Sequence, residues 1–426
     1  MISPKEAKKI EKYLASNNIL HLNLPEDVNV AVVIPVFKDF MVFSAIESLK
    51  ESYFHTKNSK IKPALVVVIN HPENTDPATA QKNKHLAQML KKISTPFPVK
   101  IIEAYDLPQK YAGVGLARKI GMDAASAHFF KNKIENGIIV SLDADTVVSG
   151  NYFEAIINEF NINEKLNGIS IYYEHLPAKN KKIDLAITLY ELHLRYYVNM
   201  IRKIGFPFAF HTIGSAFAIN YRAYIRQNGM PKKQGGEDFY LLNKIMIEGN
   251  YKDLTSTTVY PSARPTQKTP FGTGKTITSI IRSDSHIFYT YNPQAFYLLK
   301  QITTNINTLY KGNCQDYLKH LPAETVNFLD AINFCDNINK IKSNTTNFNS
   351  FRKAFFTWFN GFKAVKFLNY LHSEKHFDKV PVTEAIKQLF DSNTNLPPAQ
   401  LLNELRQLDK NNSLTLTDKL ELAKND

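Results

Sequence analysis

Four short, largely apolar segments in the first third of the chain predict strands, and the first two of them are continuous apolar runs. They are short and rich in β-branched residues, unlike helices, and they cover residues 30–34, 64–69, 99–104 and 137–142. Segments with apolar positions at helical spacing follow the first three runs, at residues 40–52, 79–93 and 115–130. Strands that are apolar on both faces and alternate with helices are typical of a parallel sheet between layers of helices. The pattern therefore predicts an α/β fold with a mostly parallel sheet.

The alternation becomes less regular after residue 145 and gives way to helical patterns near residue 293. We expect helices at 152–160, at 183–204 and after Glu237-Asp238, and strands at 169–174 and 215–220. An apolar i, i+3, i+4, i+7 rhythm over residues 351–371 predicts an amphipathic helix, with shorter helices at 384–390, 399–408 and 416–423. The predicted organisation is an N-terminal helical arm at 1–28, an α/β domain at 29–292 and a helical C-terminal region at 293–426.

Charge and composition narrow the classes of partner. The 426 residues carry a net charge of +13, which favours nucleotide phosphates, nucleic acid or an acidic membrane surface. Since no nucleic-acid-binding motif is recognised, we expect no nucleic-acid partner. Two cysteines argue against a disulfide framework or a cysteine-based zinc site. Without a signal-peptide pattern or a membrane-spanning apolar stretch, we expect a cytoplasmic protein, with peripheral contact to the inner face of the membrane left open.

Two acidic pairs carry the candidate chemistry. Asp143-Ala144-Asp145 directly follows a predicted buried strand, so both carboxylates would lie at the edge of the sheet where α/β proteins bind ligands. Two oxygen donors there suit a divalent cation that also binds substrate phosphates, although a turn or a helix cap explains an isolated pair equally simply. Glu237-Asp238 follows two glycines and opens a predicted helix, where an acidic pair serves either as a helix cap or as a proton acceptor.

Five motifs in order resemble those of the GT-A glycosyltransferases, particularly family 2. Residues 30–37 (Val-Ala-Val-Val-Ile-Pro-Val-Phe) are similar to the first strand of that family, and residues 112–119 with Gly121 are similar to its glycine/Ala-Arg helix start. Asp143-Ala144-Asp145 matches the Asp-x-Asp metal motif. Residues 214–219 resemble the acceptor-side strand, and residues 236–238 resemble the Glu-Asp motif that carries the base.

The resemblance implies a GT-A fold and a metal-dependent transfer of a sugar from a UDP- or GDP-linked donor to an acceptor hydroxyl. It implies Mn²⁺ or Mg²⁺ as cofactor and, for family 2, inversion at the anomeric carbon. Asp145 would be the main metal ligand, Asp143 would contact the metal or the ribose, and Asp238 would be the base beside Glu237. The implied donor-binding residues, besides Asp143, are Pro35, Val36, Phe37, Asn70, Arg118 and Ala144.

The sequence departs from the family pattern in two places. The second strand is followed by Asn70-His71-Pro72 where family 2 usually has an acidic turn that reads the nucleobase, so the donor nucleotide stays open. Lys119 stands where the family commonly has asparagine. His286 is a candidate third metal ligand by the same resemblance, while a structural role is the alternative for a lone histidine.

A glycine-lysine-threonine segment and two other functional classes provide alternatives to this function. Gly274-Lys275-Thr276 resembles the end of a phosphate-binding loop, but the first glycine of that motif is replaced by Thr269. The segment is therefore either a phosphate or acceptor cradle, joined by Arg264, or an ordinary turn. A nucleotide-sugar-binding or scaffold protein without turnover is the main alternative to an enzyme, and a nucleotidyltransferase is a third possibility. The sequence does not identify the acceptor.

Overall fold

Seven consecutive buried residues form β1 (Val30–Val36), a strand inside the largest sheet of the computed structural model. The structure describes residues 2–17, 19–265, 272–283, 287–391 and 395–411. Within this part, the chain forms two compact units. One comprises Met1–Asp184 and Thr212–Ser279, and the other comprises Leu185–His211 and Ile280–Asp426. The boundaries predicted at 28/29 and 292/293 remain predictions.

The first unit contains a mixed eight-stranded sheet with the strand order β3-β2-β1-β4-β7-β6-β8-β5. Its further strands are β2 (Pro63–Pro72), β3 (Val99–Leu107), β4 (Ile138–Ser141), β5 (Val147–Val148), β6 (Gly168–Tyr173), β7 (Phe217–Asn220) and β8 (Tyr251–Tyr260). The strands β3, β2, β1 and β4 run parallel, as does the pair β6–β8, while β7 is antiparallel to both of its neighbours and β5 is antiparallel to β8. The predicted α/β class, with a mostly parallel sheet and a helical C-terminal region, is confirmed.

Helices connect most of these strands. The helices up to residue 282 are α1 (Pro4–Ser16), α2 (Val42–His55), α3 (Pro77–Leu90), α4 (Val114–Lys131), α5 (Tyr152–Ile162), α6 (Lys181–Lys203), α7 (Tyr221–Arg226), α8 (Glu237–Glu248) and α9 (Thr273–Arg282). Two strands of this sheet were not predicted from the sequence: β5, which has only two residues, and β8, whose burial alternates imperfectly along a threonine-rich segment.

The second unit is mainly helical. Its helices after residue 290 are α10 (Pro293–Thr304), α11 (Ile306–Lys311), α12 (Cys314–Leu318), α13 (Ala323–Ala331), α14 (Phe334–Ser343), α15 (Phe348–Trp358), α16 (Gly361–Ser373), α17 (Val382–Leu389) and α18 (Pro398–Asn411). A short antiparallel pair joins β9 (Tyr289–Thr290) to β10 (Val380–Pro381). Within this unit, the buried Asp409 of α18 accepts hydrogen bonds from Arg195 at 2.6 Å and lies 3.0 Å from His211 Nε2.

Three findings in this unit bear on the predictions. The single helix predicted over 351–371 is two helices, because the Asn360 side chain caps α16 by accepting from the N–H groups of Phe362 and Lys363. Cys314 and Cys335 form a disulfide between α12 and α14, with Cα atoms 5.6 Å apart. The cysteine count argued against a framework of several disulfides, and this single bridge was not predicted. The helix predicted at 416–423 lies outside the described residues.

Helix α4 packs closely on β1 because Gly121 faces the strand. A methyl group added at Gly121 would lie 2.5 Å from Val33 Cγ1 and 3.0 Å from Val68 Cγ2. The glycine therefore sets the distance between α4 and the middle of the sheet, and with it the position of the residues in the first turns of α4. None of the helices among the described residues is long and apolar enough to cross a membrane.

We predict that Gly121→Ala lowers the free energy of unfolding by roughly 1–3 kcal/mol, because overpacking against Val33 outweighs the gain in helix propensity of about 1 kcal/mol. Urea unfolding followed by circular dichroism measures the change. In a Val33→Ala background, which removes the obstructing methyl groups, the same substitution should cost clearly less. Stabilisation by Gly121→Ala in the native background would contradict this packing.

Candidate functional site

Two carboxylates project from the turn that follows β4. The Leu142 N–H donates to the Val33 carbonyl at 3.1 Å, and the Thr146 N–H donates to the Asp143 carbonyl at 3.2 Å. Between these two bonds the backbone leaves the sheet and carries Asp143 and Asp145 at its edge. Their side chains are 36% and 27% exposed, whereas Ala144 between them is buried. The predicted acidic pair is therefore partly accessible and lies at the carboxyl end of a parallel strand.

The ends of β1 and β2 lie at the same edge. Val36 pairs with Ile69, which places Phe37 and Asn70 together just past the last paired residues. The side chains of Pro35, Val36 and Asn70 are buried, and Phe37 is half-buried. Contacts from Pro35 and Val36 to a ligand would therefore involve their backbone.

Asn83 on α3 fixes the two strand ends relative to each other, and the sequence analysis missed it. Its side-chain oxygen accepts from the Lys38 N–H at 2.8 Å, and its side-chain nitrogen donates to the Asn70 carbonyl at 3.2 Å. Asn83 is fully buried. A single asparagine within a lysine-rich helix offers no sequence pattern that would distinguish it from a surface residue.

Arg118 connects the first acidic motif to the second. This arginine of α4 is only 3% exposed, and its Nη2 lies 2.5 Å from Asp143 Oδ1 while its Nη1 bonds Glu237 Oε1. Burial alone would lower the pKa of the Arg118 guanidinium, but the carboxylates of Asp143, Glu237 and Asp238 raise it overall. One guanidinium thus holds together two motifs that are far apart in the sequence.

Glycines allow this close approach. The carbonyl of Lys233 and the side chain of Glu237 lie against Gly115 in the first turn of α4, leaving no room for a side chain there. A methyl group on Gly214 would lie 2.5 Å from Arg118 Nη2, and the carbonyl of Gly214 accepts from the Ser141 hydroxyl at 2.7 Å. The glycines of two predicted motifs, Gly115 and Gly214, therefore give Glu237 and Arg118 room to meet.

Glu237 and Asp238 begin α8 and differ in environment. Gly236 precedes them in the left-handed conformation with φ of 69°, which favours glycine. The Glu237 side chain is buried on Arg118, while Asp238 is half-buried and accepts from the Phe239 N–H at 2.7 Å. Burial and the neighbouring Glu237 raise the pKa of Asp238 well above its usual range, although Arg118 opposes the change. Asp238 is therefore the more available proton acceptor of the two.

A second arginine engages the other aspartate of the first motif. Arg264, which follows β8, donates from Nη2 to Asp145 Oδ2 at 3.0 Å and pairs with Asp39 through both terminal nitrogens. Asp39 was not predicted as a site residue. It follows β1 just as Asp143 follows β4, so the strand-end rule that identified Asp143 applies to it too. The sequence pattern placed Arg264 only beside a phosphate cradle. Because strand β8 was not predicted, the position of Arg264 at the edge of the sheet was not predicted either.

The remaining predicted residues either belong to other elements or lie outside the described part of the chain. Lys119 is buried, with its Nζ 2.8 Å from Asp123 Oδ2 and 2.7 Å from the Tyr13 hydroxyl, so it joins α4 to α1. Lys275 and Thr276 lie in the first turn of α9. His286 lies outside the described residues, as do residues 266–271, and its role as a metal ligand stays a prediction.

The donor set fits a divalent cation that binds together with a substrate. The site offers hard carboxylate oxygens, and burial with the neighbouring Asp143 raises the pKa of Asp145 to about 6, with a further rise from Asp39 and an opposing effect of Arg264. The described ranges contain no group of three or more His, Cys, Asp or Glu side chains arranged to hold a metal. One or two protein carboxylates completed by substrate phosphates is the usual arrangement for Mg²⁺.

Comparisons with known proteins place the chain near several solved structures. No protein-family model and no curated sequence matches it. It is similar to S. aureus TarS 1–349, at 11% identity over 74% of this chain and 90% of that chain, with a TM-score of 0.38. It is similar to the mannosyltransferase PcManGT from Pyrobaculum calidifontis in complex with GDP-Man and Mn²⁺, at 12% identity over 98% and 92% of the two chains, with a TM-score of 0.36.

A third similar structure is glucosyl-3-phosphoglycerate synthase from M. tuberculosis, at 12% identity over 68% of this chain and 84% of that chain, with a TM-score of 0.32.

We predict that Arg118→Gln lowers the free energy of unfolding by about 3–5 kcal/mol, because it leaves the buried Glu237 carboxylate, and Asp143 beside it, without a counter-ion. Arg226→Gln is the matched control, since Arg226 is 30% exposed where it pairs with Glu248 and Glu6, and it should cost about 1 kcal/mol or less. Chemical unfolding measures both. Adding Glu237→Gln to Arg118→Gln should recover part of the loss, and equal losses for the two arginine variants would contradict the bridge.

Proposed function

We propose that the chain is a metal-dependent glycosyltransferase that moves a sugar from a UDP- or GDP-linked donor to an acceptor hydroxyl. The observation that carries the proposal is the Arg118 bridge, which brings the acidic pair after β4 within one guanidinium of the acidic pair at the start of α8. A transferase of this kind needs an anchor for the leaving diphosphate and a base for the attacking hydroxyl. The bridge brings the residues that we propose for the anchor and for the base together at one edge of the sheet.

Asp143 and Asp145 are the proposed diphosphate and metal anchor, with Mn²⁺ or Mg²⁺ as the cation. When bound, the cation would neutralise the charge that develops on the leaving diphosphate. Asn70 and the backbone of residues 35–37 border the same edge and are proposed to contact the nucleoside, with Ala144 leaving space beside it. His286 stays a candidate third ligand. The nucleotide itself is not identified by these residues.

Asp238 is the proposed general base. It would accept the proton of the acceptor hydroxyl while the acceptor oxygen bonds the anomeric carbon and the bond from that carbon to the diphosphate oxygen breaks. Attack from the side opposite the leaving group inverts the configuration. Its raised pKa favours this role, because a base is most effective when its pKa is near the working pH. Glu237, buried against Arg118, is proposed to position Asp238 and Arg118 without touching the substrate.

The cellular setting also remains a proposal. The net charge of +13 favours binding of the anionic donor and is compatible with peripheral membrane contact. We propose no nucleic-acid partner. The Cys314–Cys335 disulfide weighs against the predicted cytoplasmic location, because disulfides persist mainly in oxidising compartments.

We predict that Asp238→Asn reduces sugar transfer by about 10²–10⁴-fold without abolishing donor binding, because it removes the proton acceptor and leaves the diphosphate anchor unchanged. The donor is chosen first by a thermal-shift screen of UDP- and GDP-sugars with and without Mn²⁺. Transfer is measured as release of the nucleoside diphosphate, and donor binding by calorimetry.

Glu248→Gln, at the other end of α8, is the matched control and should retain native turnover, since Glu248 contacts Arg226 and Gln227. Full turnover by Asp238→Asn would contradict the assignment of the base. Donor binding by the native protein without transfer or donor hydrolysis would favour a nucleotide-sugar-binding protein instead.

We predict that kcat, measured at saturating donor and Mn²⁺, falls on acidification at a pH well above the ordinary aspartate range. The base acts only when ionised, and a raised pKa means that Asp238 becomes protonated at a higher pH than an exposed aspartate. A saturated metal site keeps Asp145 ionised, so its own titration does not contribute. A rate that stays constant down to about pH 4, where ordinary aspartates titrate, would contradict this prediction.

A further inference from the structure

Arg264 occupies the space between two carboxylates at the proposed metal site. Its Nη1 lies 3.2 Å from Asp39 Oδ1, its Nη2 also bonds Asp39, and the same Nη2 lies 3.0 Å from Asp145 Oδ2. Asp39 and Asp145 follow β1 and β4, which are neighbours in the sheet. The side chain of Asp39 is 13% exposed and that of Arg264 is 38% exposed, so the carboxylate is the more buried partner of the pair.

Arg264 contacts the carboxylates of Asp39 and Asp145, and a third carboxylate, that of Asp143, lies two residues before Asp145. These carboxylates bring several negative charges to one edge of the sheet, and Arg264 is a cation in direct contact with two of them. Without Arg264, the Asp39–Asp145 pair would be an excess of negative charge that attracts another cation. The arginine is therefore the resident counter-ion of the group that the proposed function assigns to a divalent cation.

We propose that Arg264 and the divalent cation compete for the Asp39–Asp145 pair, and that the donor diphosphate ends this competition by binding the displaced guanidinium. This inference rests on the proposed function and adds two residues to it. Asp39 becomes a second carboxylate facing the cation, and Arg264 becomes a positioning residue for the diphosphate. Guanidinium groups bind phosphate in the same two-pronged manner as carboxylate, so the exchange preserves the type of contact.

The competition has a thermodynamic consequence. A cation that binds alone must displace Arg264 without a new partner for it, so its affinity is reduced. When a cation binds together with a nucleoside diphosphate, the displaced Arg264 binds phosphate oxygens. The affinity of the cation is then reduced less. Metal and nucleotide should therefore strengthen each other's binding, by the same factor in both directions.

The test is a titration with Mn²⁺, in which free Mn²⁺ is followed by electron paramagnetic resonance, with and without UDP or GDP. For Arg264→Gln, we expect Mn²⁺ alone to bind about tenfold more tightly than to the native protein, because the internal competitor is gone. We expect the enhancement of Mn²⁺ binding by nucleotide to shrink by about tenfold in the same variant. The Mn²⁺ affinity of Arg264→Lys should lie between those of the native protein and Arg264→Gln, since an ammonium group lacks the planar fork with which a guanidinium bonds both carboxylates.

Controls separate the possible failures. Arg226→Gln removes the same charge from an arginine that pairs with Glu6 and Glu248, and it should behave as the native protein does. Chemical unfolding of each variant establishes that it is folded. Unchanged Mn²⁺ affinity and unchanged enhancement in Arg264→Gln would overturn the competition.

Asp145→Asn tests the underlying function separately, because it should abolish nucleotide-enhanced Mn²⁺ binding. If it does so while Arg264→Gln has no effect, the inference alone is wrong. If Asp145→Asn retains that binding, the metal site of the proposed function is wrong as well.

Discussion

The buried guanidinium of Arg118 is the interaction on which the rest of the site depends. It touches Asp143 at the end of β4 and Glu237 at the start of α8, residues that lie 25 and 119 positions away along the chain. A buried charge of this kind is tolerable only when its partners are fixed, because the desolvation cost of each ion is large. The glycines at positions 115 and 214 give the partners room to approach, and Gly121 sets α4 at the right distance from β1.

Arginines also balance the negative charge of the other carboxylates at this edge of the sheet. Arg118 and Arg264 each neutralise carboxylates that would otherwise repel one another, yet the pKa of Asp145 is still raised to about 6 by burial and by Asp143. A site with surplus negative charge is poorly stabilised in isolation and well suited to a cation that arrives with its substrate. Groups held in such environments are commonly functional, because stability alone would favour their replacement.

Much of this arrangement was predictable from short-range patterns. Largely apolar segments indicated β1 to β4, and the rule that α/β sheets bind ligands at the carboxyl ends of their strands singled out Asp143 and Asp145. Asn70 was implied by the family resemblance. The Glu237-Asp238 pair was recognised by its glycines and by the helix that follows. These features depend on neighbouring residues, so one sequence is enough to reveal them.

The remaining features depend on tertiary contacts. β8 alternates poorly because one face is only partly buried, so Arg264 after it was not placed at the edge. Asn83 acts through hydrogen bonds to two strand ends, and Lys119 turns towards Asp123 and Tyr13. The break between α15 and α16 is a local exception that was visible in principle, since Asn360-Gly361 is a good helix start within an otherwise continuous apolar rhythm.

The most direct test of the central claim is a crystal structure with Mn²⁺ and an intact, unreactive analogue of the donor sugar nucleotide. We expect the diphosphate and cation at the edge formed by the ends of β1 and β4, with the cation on Asp145 and with Arg118 still bridging Asp143 and Glu237. We also expect Asp238 on the side of the anomeric carbon opposite the diphosphate, where an acceptor hydroxyl would approach. A diphosphate bound away from this edge, or an Asp238 on the same side as the leaving group, would contradict the central claim.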